Sequence, residues 1–136
     1  MRESIRRLGS RKRHYGVDER CVDDVTILDI AGPLADDDDV NICLRDTLTR
    51  FIQTGRVHLL VNLAEVPFVG SAGLGALAFG YISAKRRGGT LKLTGASRRV
   101  HDLLVITRLH SVFETFDRET EALASSAMAP PPQTPN

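Results

Sequence analysis

The segment from Asn62 to Gly75, with the sequence NLAEVPFVGSAGLG, constrains the fold more than any other part of the chain. It carries an apolar run into a turn containing proline and glycine, and a helical pattern then starts at Ser71. A helix N-terminus presents N–H groups without intrahelical partners and a partial positive charge, so it favours an anion such as a phosphoryl group. The sequence therefore predicts a strand, a turn and a helix whose functional group is the Ser71 hydroxyl.

Strand-like and helix-like patterns alternate on both sides of this segment. Extended runs at 15–22 and 25–30, separated by two aspartates, predict an antiparallel pair that ends at Gly32-Pro33. The later patterns predict, in chain order, a helix over 40–52, a strand over 57–63, a helix from Ser71 to about Arg87, a strand over 90–94, a helix capped by Ser97, a strand over 112–116 and a short helix after Asp117. Together they predict an α/β fold with a mixed, mostly parallel β-sheet and about four helices.

Length and charge divide the chain into three parts. Its 136 residues, 42% of them hydrophobic, match the size and composition of one globular domain. The first 14 residues carry six basic side chains and one acidic one, a local charge of +5, so a net charge of +1 leaves −4 for the remainder. Residues 127–136 hold four of the six prolines and show no hydrophobic periodicity. We expect a disordered basic arm over 1–14, a domain over 15–126 and a disordered tail over 127–136.

Composition also restricts the classes of partner. No apolar run approaches 18 residues, and two cysteines without CxxC spacing suit a reducing compartment, so we expect a cytoplasmic protein that does not bind membranes. The basic arm lacks interleaved aromatic residues and a DNA-binding motif, which argues against direct contact with nucleic acid.

Catalytic and cofactor signatures are weak. A nucleophile elbow requires glycine where Val69 stands, although Ser71, Asp102 and His110 follow one another in the order of a hydrolase triad. The glycines form neither a phosphate-binding loop nor a dinucleotide fingerprint. The acidic run over 36–39 lacks the alternation of a calcium loop and suits a helix start instead. We expect no enzyme activity, no cofactor and no metal site, with a hydrolase as the outside alternative.

Several stretches together resemble one known family. They are VTILDIAG from Val25, LVNL from Leu60, FVGSAGLG from Phe68, RGGTLKL from Arg87 and TRLHSVF from Thr107. Their order and spacing are similar to the STAS domain of bacterial anti-sigma-factor antagonists. The resemblance covers about Val17 to Leu123, and it implies a single STAS-like domain.

The resemblance also implies a function. Such antagonists sequester an anti-sigma factor, which is often a serine kinase of the histidine-kinase-like ATPase type. This kinase inactivates the antagonist by phosphorylating a serine, and a serine phosphatase later restores the antagonist. The phosphoacceptor falls on Ser71, and Gly73, Leu74 and Gly75 match the rest of the motif. Two positions depart from it: Gly70 replaces the usual aspartate, and Ala72 replaces a second hydroxyl.

The helix that starts at Ser71 predicts a contact surface. Its buried stripe is expected to contain Leu74, Leu77, Ala78, Tyr81 and Ile82, which leaves Ala72, Ala76, Phe79 and Ser83 on the opposite side. The predicted partner-binding residues are Gly70, Ser71, Ala72, Gly73, Ala76 and Phe79, with Phe79 as the aromatic anchor. The alternative is a constitutive interaction or scaffold domain, as a homodimer or in a larger assembly, in which Ser71 only caps the helix.

Overall fold

The strands and helices follow one another as the sequence patterns predict, with one additional strand at the start. The computed structural model of the protein describes residues 4–8, 16–35 and 38–128. The strands are β1 (Ser4–Leu8), β2 (Gly16–Val22), β3 (Val25–Ala31), β4 (His58–Glu65), β5 (Thr90–Thr94) and β6 (Glu114–Phe116). The helices are α1 (Asp38–Gln53), α2 (Ser71–Arg86), α3 (Arg98–Ile106) and α4 (Glu119–Met128), with a 3-10 helix at Leu109–Ser111. The predicted α/β class with four helices is confirmed.

The six strands lie side by side in chain order. The first two pairings are antiparallel and the last three are parallel, which confirms a mixed and mostly parallel sheet. The predicted β2–β3 hairpin turns at Asp23, whose φ of 54° is one that aspartate tolerates better than most residues. Because β3, β4 and β5 are parallel, their carboxyl ends meet at one edge of the sheet, where α1, α2 and α3 begin.

Both faces of the sheet are covered, which explains the nearly continuous apolar run in β4. Leu59, Val61 and Leu63 belong to the large core cluster that includes buried residues of α1, α2 and α3. Leu60 belongs to a smaller cluster together with Ala122 of α4. Since neighbouring strand residues point to opposite faces, three helices pack on one side of the sheet and α4 packs on the other.

An ionic network fastens the start of α4 to the sheet. Arg20 forms two hydrogen bonds with each of two carboxylates: 2.6 and 2.9 Å to Asp29, and 2.6 and 3.0 Å to Glu119. Asn62 donates a further bond of 2.8 Å to Asp29. The bonds to Asp29, followed by those to Glu119, hold the pKa of Arg20 above its ordinary value. Arg20 therefore remains charged and joins β2, β3 and α4.

The chain start differs from the prediction. Residues 4–8 form strand β1, which pairs antiparallel with β2, so the disordered arm predicted for 1–14 is wrong for these five residues. Pairing at a sheet edge uses backbone N–H and C=O groups, which composition and charge do not reveal. Residues 1–3 and 9–15 lie outside the described part of the chain, so for them the arm stays a prediction.

The final elements also differ in extent. The strand predicted over 112–116 is shortened, because Arg108 ends α3 in a left-handed conformation and a 3-10 helix follows. Phe113 then donates its N–H to Leu109, which places it in this turn. Helix α4 runs to Met128, two residues into the predicted tail, and 129–136 lie outside the described residues. None of the described helices is both long and apolar enough to cross a membrane.

Candidate functional site

Ser71 lies at the carboxyl edge of the parallel strands, in a loop held by backbone pairing. Leu34, between β3 and α1, forms a parallel bridge with Val69, which precedes α2. Leu34 donates its N–H to Phe68 (3.0 Å) and accepts a bond of 2.7 Å from the N–H of Gly70. The backbone leading into Ser71 is therefore fixed on both sides.

Helix α2 is capped by Gly70 rather than by Ser71. Gly70 has an extended conformation, with φ of −92° and ψ of −177°, and the cap has no side-chain hydrogen bond. Ser71 is the first helical residue and is exposed. The structure thus does not give Ser71 the capping role that the alternative assigned to it, because its hydroxyl stands one position too late. This hydroxyl is accessible to a second protein.

Close packing in the structure explains the glycine at position 73. A Cβ atom at this position would lie 2.8 Å from the carbonyl oxygen of Leu34 and 3.1 Å from Cγ1 of Val69. Gly73 is buried against the bridge that holds the loop. The glycine therefore allows α2 to start close to the loop between β3 and α1, while its role in partner binding stays a prediction.

The predicted contact face of α2 is largely covered by α1. Ala76 is fully buried, and a Cβ atom at Gly80 would lie 2.7 Å from Cδ1 of Leu48 in α1. Conversely, Ile82 was predicted in the buried stripe but is 54% exposed. Ala76 therefore does not lie on the exposed face that the sequence pattern predicted, and its role in partner binding stays a prediction. Because α2 packs against both the sheet and α1, it buries a wider and differently placed sector than one apolar stripe indicates.

The solvent-facing side of α2 starts at Ser71. Residues spaced by three or four along the helix lie on one face, and the residues that follow Ser71 in this way are Gly75, Ala78 and Ile82. Ser71 and Ile82 are exposed, while Gly75 and Ala78 are half-buried. We call these four residues the outer face of α2. It is a smooth surface with the serine at one end and a branched apolar side chain near the other.

Two arginines lie on aromatic rings, one in α2 and one in the loop before Ser71. The Arg45 guanidinium carbon, from α1, is 4.8 Å from the ring centroid of Phe79, and that of Arg99, from α3, is 5.3 Å from the centroid of Phe68. Phe79 is half-buried and lines a cleft of about 220 Å³ between α1 and α2. The predicted anchor is therefore partly covered by a cation. Gly70 and Ala72, the remaining predicted contacts, are half-buried beside Ser71.

The structure does not assemble the hydrolase triad. Asp102 forms an ion pair of 3.8 Å with Arg98 of its own helix. His110 follows the far end of α3, which leads away from the sheet edge where Ser71 lies. Within the described ranges, no cluster of three or more His, Cys, Asp or Glu residues could hold a metal ion. Asp36 and Asp37 lie outside these ranges.

Sequence reasoning missed the burial of α2 and the two arginines. One signal was present: Gly73, Ala76, Gly80 and Ala84, all buried, recur at three or four residues. Small residues at this spacing allow close approach of a neighbouring element, so they mark the centre of the buried sector. No comparable pattern connects Arg45 with Phe79, because that contact depends on how α1 packs along α2.

Comparison with known proteins gives one family and a set of similar folds. A family model described as STAS domain matches residues 17–122. Among solved structures, an anti-sigma-factor antagonist (STAS) domain protein from Planctomyces limnophilus has 21% identity and a TM-score of 0.72, covering 82% of this chain and 97% of its own. The phosphorylated form of the Bacillus cell fate determinant SpoIIAA has 15% identity and a TM-score of 0.66, with coverages of 81% and 98%.

A third similar structure has a different description. It is a sulfate transporter family protein from Wolinella succinogenes, with 22% identity, a TM-score of 0.66 and coverages of 89% and 93%. No curated protein matches the chain. At these identities the solved structures support the fold alone.

Proposed function

The chain belongs to the STAS domain family, and from this premise we propose that it is an anti-sigma factor antagonist switched off by phosphorylation of Ser71. One observation carries the proposal: Ser71 is exposed at the first position of α2, with its loop held by Leu34. Similar folds include an antagonist and a phosphorylated SpoIIAA. The proposed partners are an anti-sigma factor that is a serine kinase of the histidine-kinase-like ATPase type and a serine phosphatase. We place this exchange in the cytoplasm and assign the chain no catalysis of its own.

The proposed modification changes charge at an accessible point. The kinase transfers the γ-phosphoryl group of ATP to Oγ of Ser71; the bond to the β-phosphate oxygen breaks, the hydroxyl proton is lost and ADP leaves. Phosphoserine adds about −1.5 to −2 charges. The positive end of the α2 dipole favours this charge, so the fold accommodates it. A partner surface that must exclude water from the phosphate does not accommodate this charge.

We propose the outer face of α2 as the partner surface. Ser71 and Ile82 lie three helical turns apart on this face, so a partner that covers one reaches the other. Ile82 is a large apolar side chain at 54% exposure, whereas Phe79 is partly covered by Arg45. Burial of a side chain such as Ile contributes about 1.5 to 3 kcal/mol. Ile82 therefore replaces Phe79 as the proposed anchor.

Binding measurements with purified ATPase-type kinases of the source organism test the proposal. Ser71→Ala should bind as well as the unmodified protein, because it removes only an exposed hydroxyl. Ser71→Glu should weaken binding at least about tenfold, since a charge left uncompensated in a contact costs more than 1.4 kcal/mol. Ile82→Asp should weaken it similarly, whereas Val105→Asp, at an exposed residue of α3, should not. Circular dichroism checks that each variant is folded.

Labelling with ATP tests the chemistry separately. The kinase should phosphorylate the wild type and leave Ser71→Ala unlabelled. Gly70→Asp restores the carboxylate of the family motif in a backbone conformation open to any residue, so it should raise the labelling rate if the carboxylate assists recognition. If no kinase labels Ser71 and Ser71→Glu binds normally, the phosphoswitch is refuted.

A constitutive interaction domain is the second candidate function. It is favoured by Gly70, which leaves no carboxylate beside the serine, and by the similar fold of a sulfate transporter family protein. In this case the chain acts as a homodimer or as part of a larger assembly. Sedimentation of the purified chain tests for the homodimer, and partner binding with and without the acidic substitution at Ser71 separates the two functions, since only a switch responds to the charge.

A further inference from the structure

Arg45, on the neighbouring helix α1, approaches α2 beside Gly75, which lies one helical turn after Ser71. Its Nη2 atom is 4.0 Å from the position that a Cβ atom would occupy at Gly75. Gly75 follows Ser71 by four residues, so the corresponding Cβ positions of the two are about 5 to 6 Å apart. Apart from this guanidinium, no side chain in the described part of the chain approaches the Cβ position at Gly75 within 4 Å, so the space beside Gly75 is open.

The present contact of Arg45 is a weak one. Its guanidinium lies over the ring of Phe79, and Arg45 is exposed to solvent. Within the described ranges, no carboxylate lies within ion-pair distance of this guanidinium. Exposed cation–π contacts are weak, whereas bidentate pairing of arginine with phosphate is among the stronger polar interactions in proteins.

We propose that Arg45 is the internal ligand of the phosphate when Ser71 is phosphorylated, and that it leaves the ring of Phe79 to bind it. The inference rests on the proposed function for its biological role, but the contact itself requires only phosphoserine at this position. Rotation of the long Arg45 side chain toward the N-terminal end of α1 brings the guanidinium along the outer face of α2 toward Ser71. Gly75 leaves its path open.

The proposal links two changes at the surface. Binding of the phosphate neutralises part of the added charge and removes the cation that covers Phe79. The cleft between α1 and α2, which Phe79 lines together with Thr49, Ile52 and Ser83, then gains an uncovered aromatic ring. Phosphorylation would therefore alter the cleft as well as the outer face of α2.

The test uses the full chain with phosphoserine incorporated genetically at position 71, so that no kinase is needed. Phosphorus NMR follows the second ionisation of the phosphate, whose ordinary pKa is about 6. A guanidinium in contact favours the doubly charged form, so Arg45→Gln should raise this pKa by roughly 1. Two variants with the same charge change are controls: Arg99→Gln, on the ring of Phe68, and Arg86→Gln, at the far end of α2. Each control variant should raise the phosphate pKa by less than a third of the shift caused by Arg45→Gln.

A second readout follows the departure of Arg45 from the ring. Ring-current shifts of the Arg45 side-chain protons should be present in the unmodified protein and largely lost in the phosphoserine protein. The proposal is overturned if Arg45→Gln shifts the phosphate pKa no more than the controls, or if the ring-current shifts persist. Because neither measurement involves a partner, this failure is distinct from failure of the proposed function, which kinase labelling and binding decide.

Discussion

Three glycines in α2 provide a graded test of how tightly this helix is packed. Helical alanine is favoured over glycine by about 0.8 to 1 kcal/mol, so Gly→Ala stabilises wherever the methyl group fits. At Gly75 the nearest atom to an added Cβ is the flexible end of Arg45, at 4.0 Å. At Gly80 and Gly73 the nearest atoms lie at 2.7 and 2.8 Å, which is closer than a Cβ can remain.

The three variants should therefore differ in sign and size. Gly75→Ala should gain about 0.5 to 1 kcal/mol. Gly80→Ala meets the ends of Leu48 and Leu91, which are buried but can shift, so overpacking of about 1 to 3 kcal/mol offsets the helical gain and leaves a net loss. Gly73→Ala meets the backbone carbonyl of Leu34, which cannot move without breaking the bridge to Val69, so its loss should be the largest.

Urea unfolding followed by circular dichroism measures the series, and the slope of the transition checks that it remains two-state. A change of 1 kcal/mol corresponds to a melting shift of roughly 4 °C for a domain of this size. The reasoning is refuted if Gly75→Ala destabilises the protein, or if Gly73→Ala is as stable as the wild type. A loss of stability in Gly75→Ala would mean that the outer face of α2 is more crowded than the structure shows.

Two further perturbations address the ends of helices. Ser97→Ala removes the cap whose side chain accepts a bond of 3.2 Å from the N–H of Val100, and it should cost about 1 kcal/mol in urea unfolding. An unchanged midpoint of the urea transition would show that this cap does not stabilise the protein. Arg20→Met leaves Asp29 and Glu119 without their cation and should cost about 2 to 3 kcal/mol, whereas Glu119→Gln should cost less than about 1 kcal/mol. Equal losses in the two variants would show that the network does not act through Arg20.

The order of elements could be predicted because each one carries its own periodic signal. The hairpin at Asp23 and Asp24, the strand Thr90–Thr94 and the cap at Ser97 are local features, and the structure confirms them. Strand β1 lacked such a signal, since it pairs through its backbone at the edge of the sheet. Elements were therefore predictable where side-chain pattern decides the structure, and not where backbone pairing alone does.

The candidate site was predictable only in part, for a related reason. Exposure of Ser71 follows from a strand, turn and helix that are adjacent in the chain. The burial of Ala76 and the exposure of Ile82 follow from the position of α1, which the pattern of α2 does not contain. A helix that packs on two sides has no single apolar stripe, so assigning one reversed the roles of these two residues.

Packing around Ser71 limits how the proposed switch can act. The loop before it is hydrogen-bonded to Leu34 on both sides of the bridge, and Gly73 places the first turn of α2 against the same residue. A backbone held in this way has no second arrangement available at low cost, so a phosphoryl group has little to refold. The groups free to respond are side chains on the surface, such as Arg45, which lies beside Gly75 on the outer face. On the proposed function, phosphorylation must therefore control binding through charge and through the movement of that arginine, while the fold that presents them stays the same.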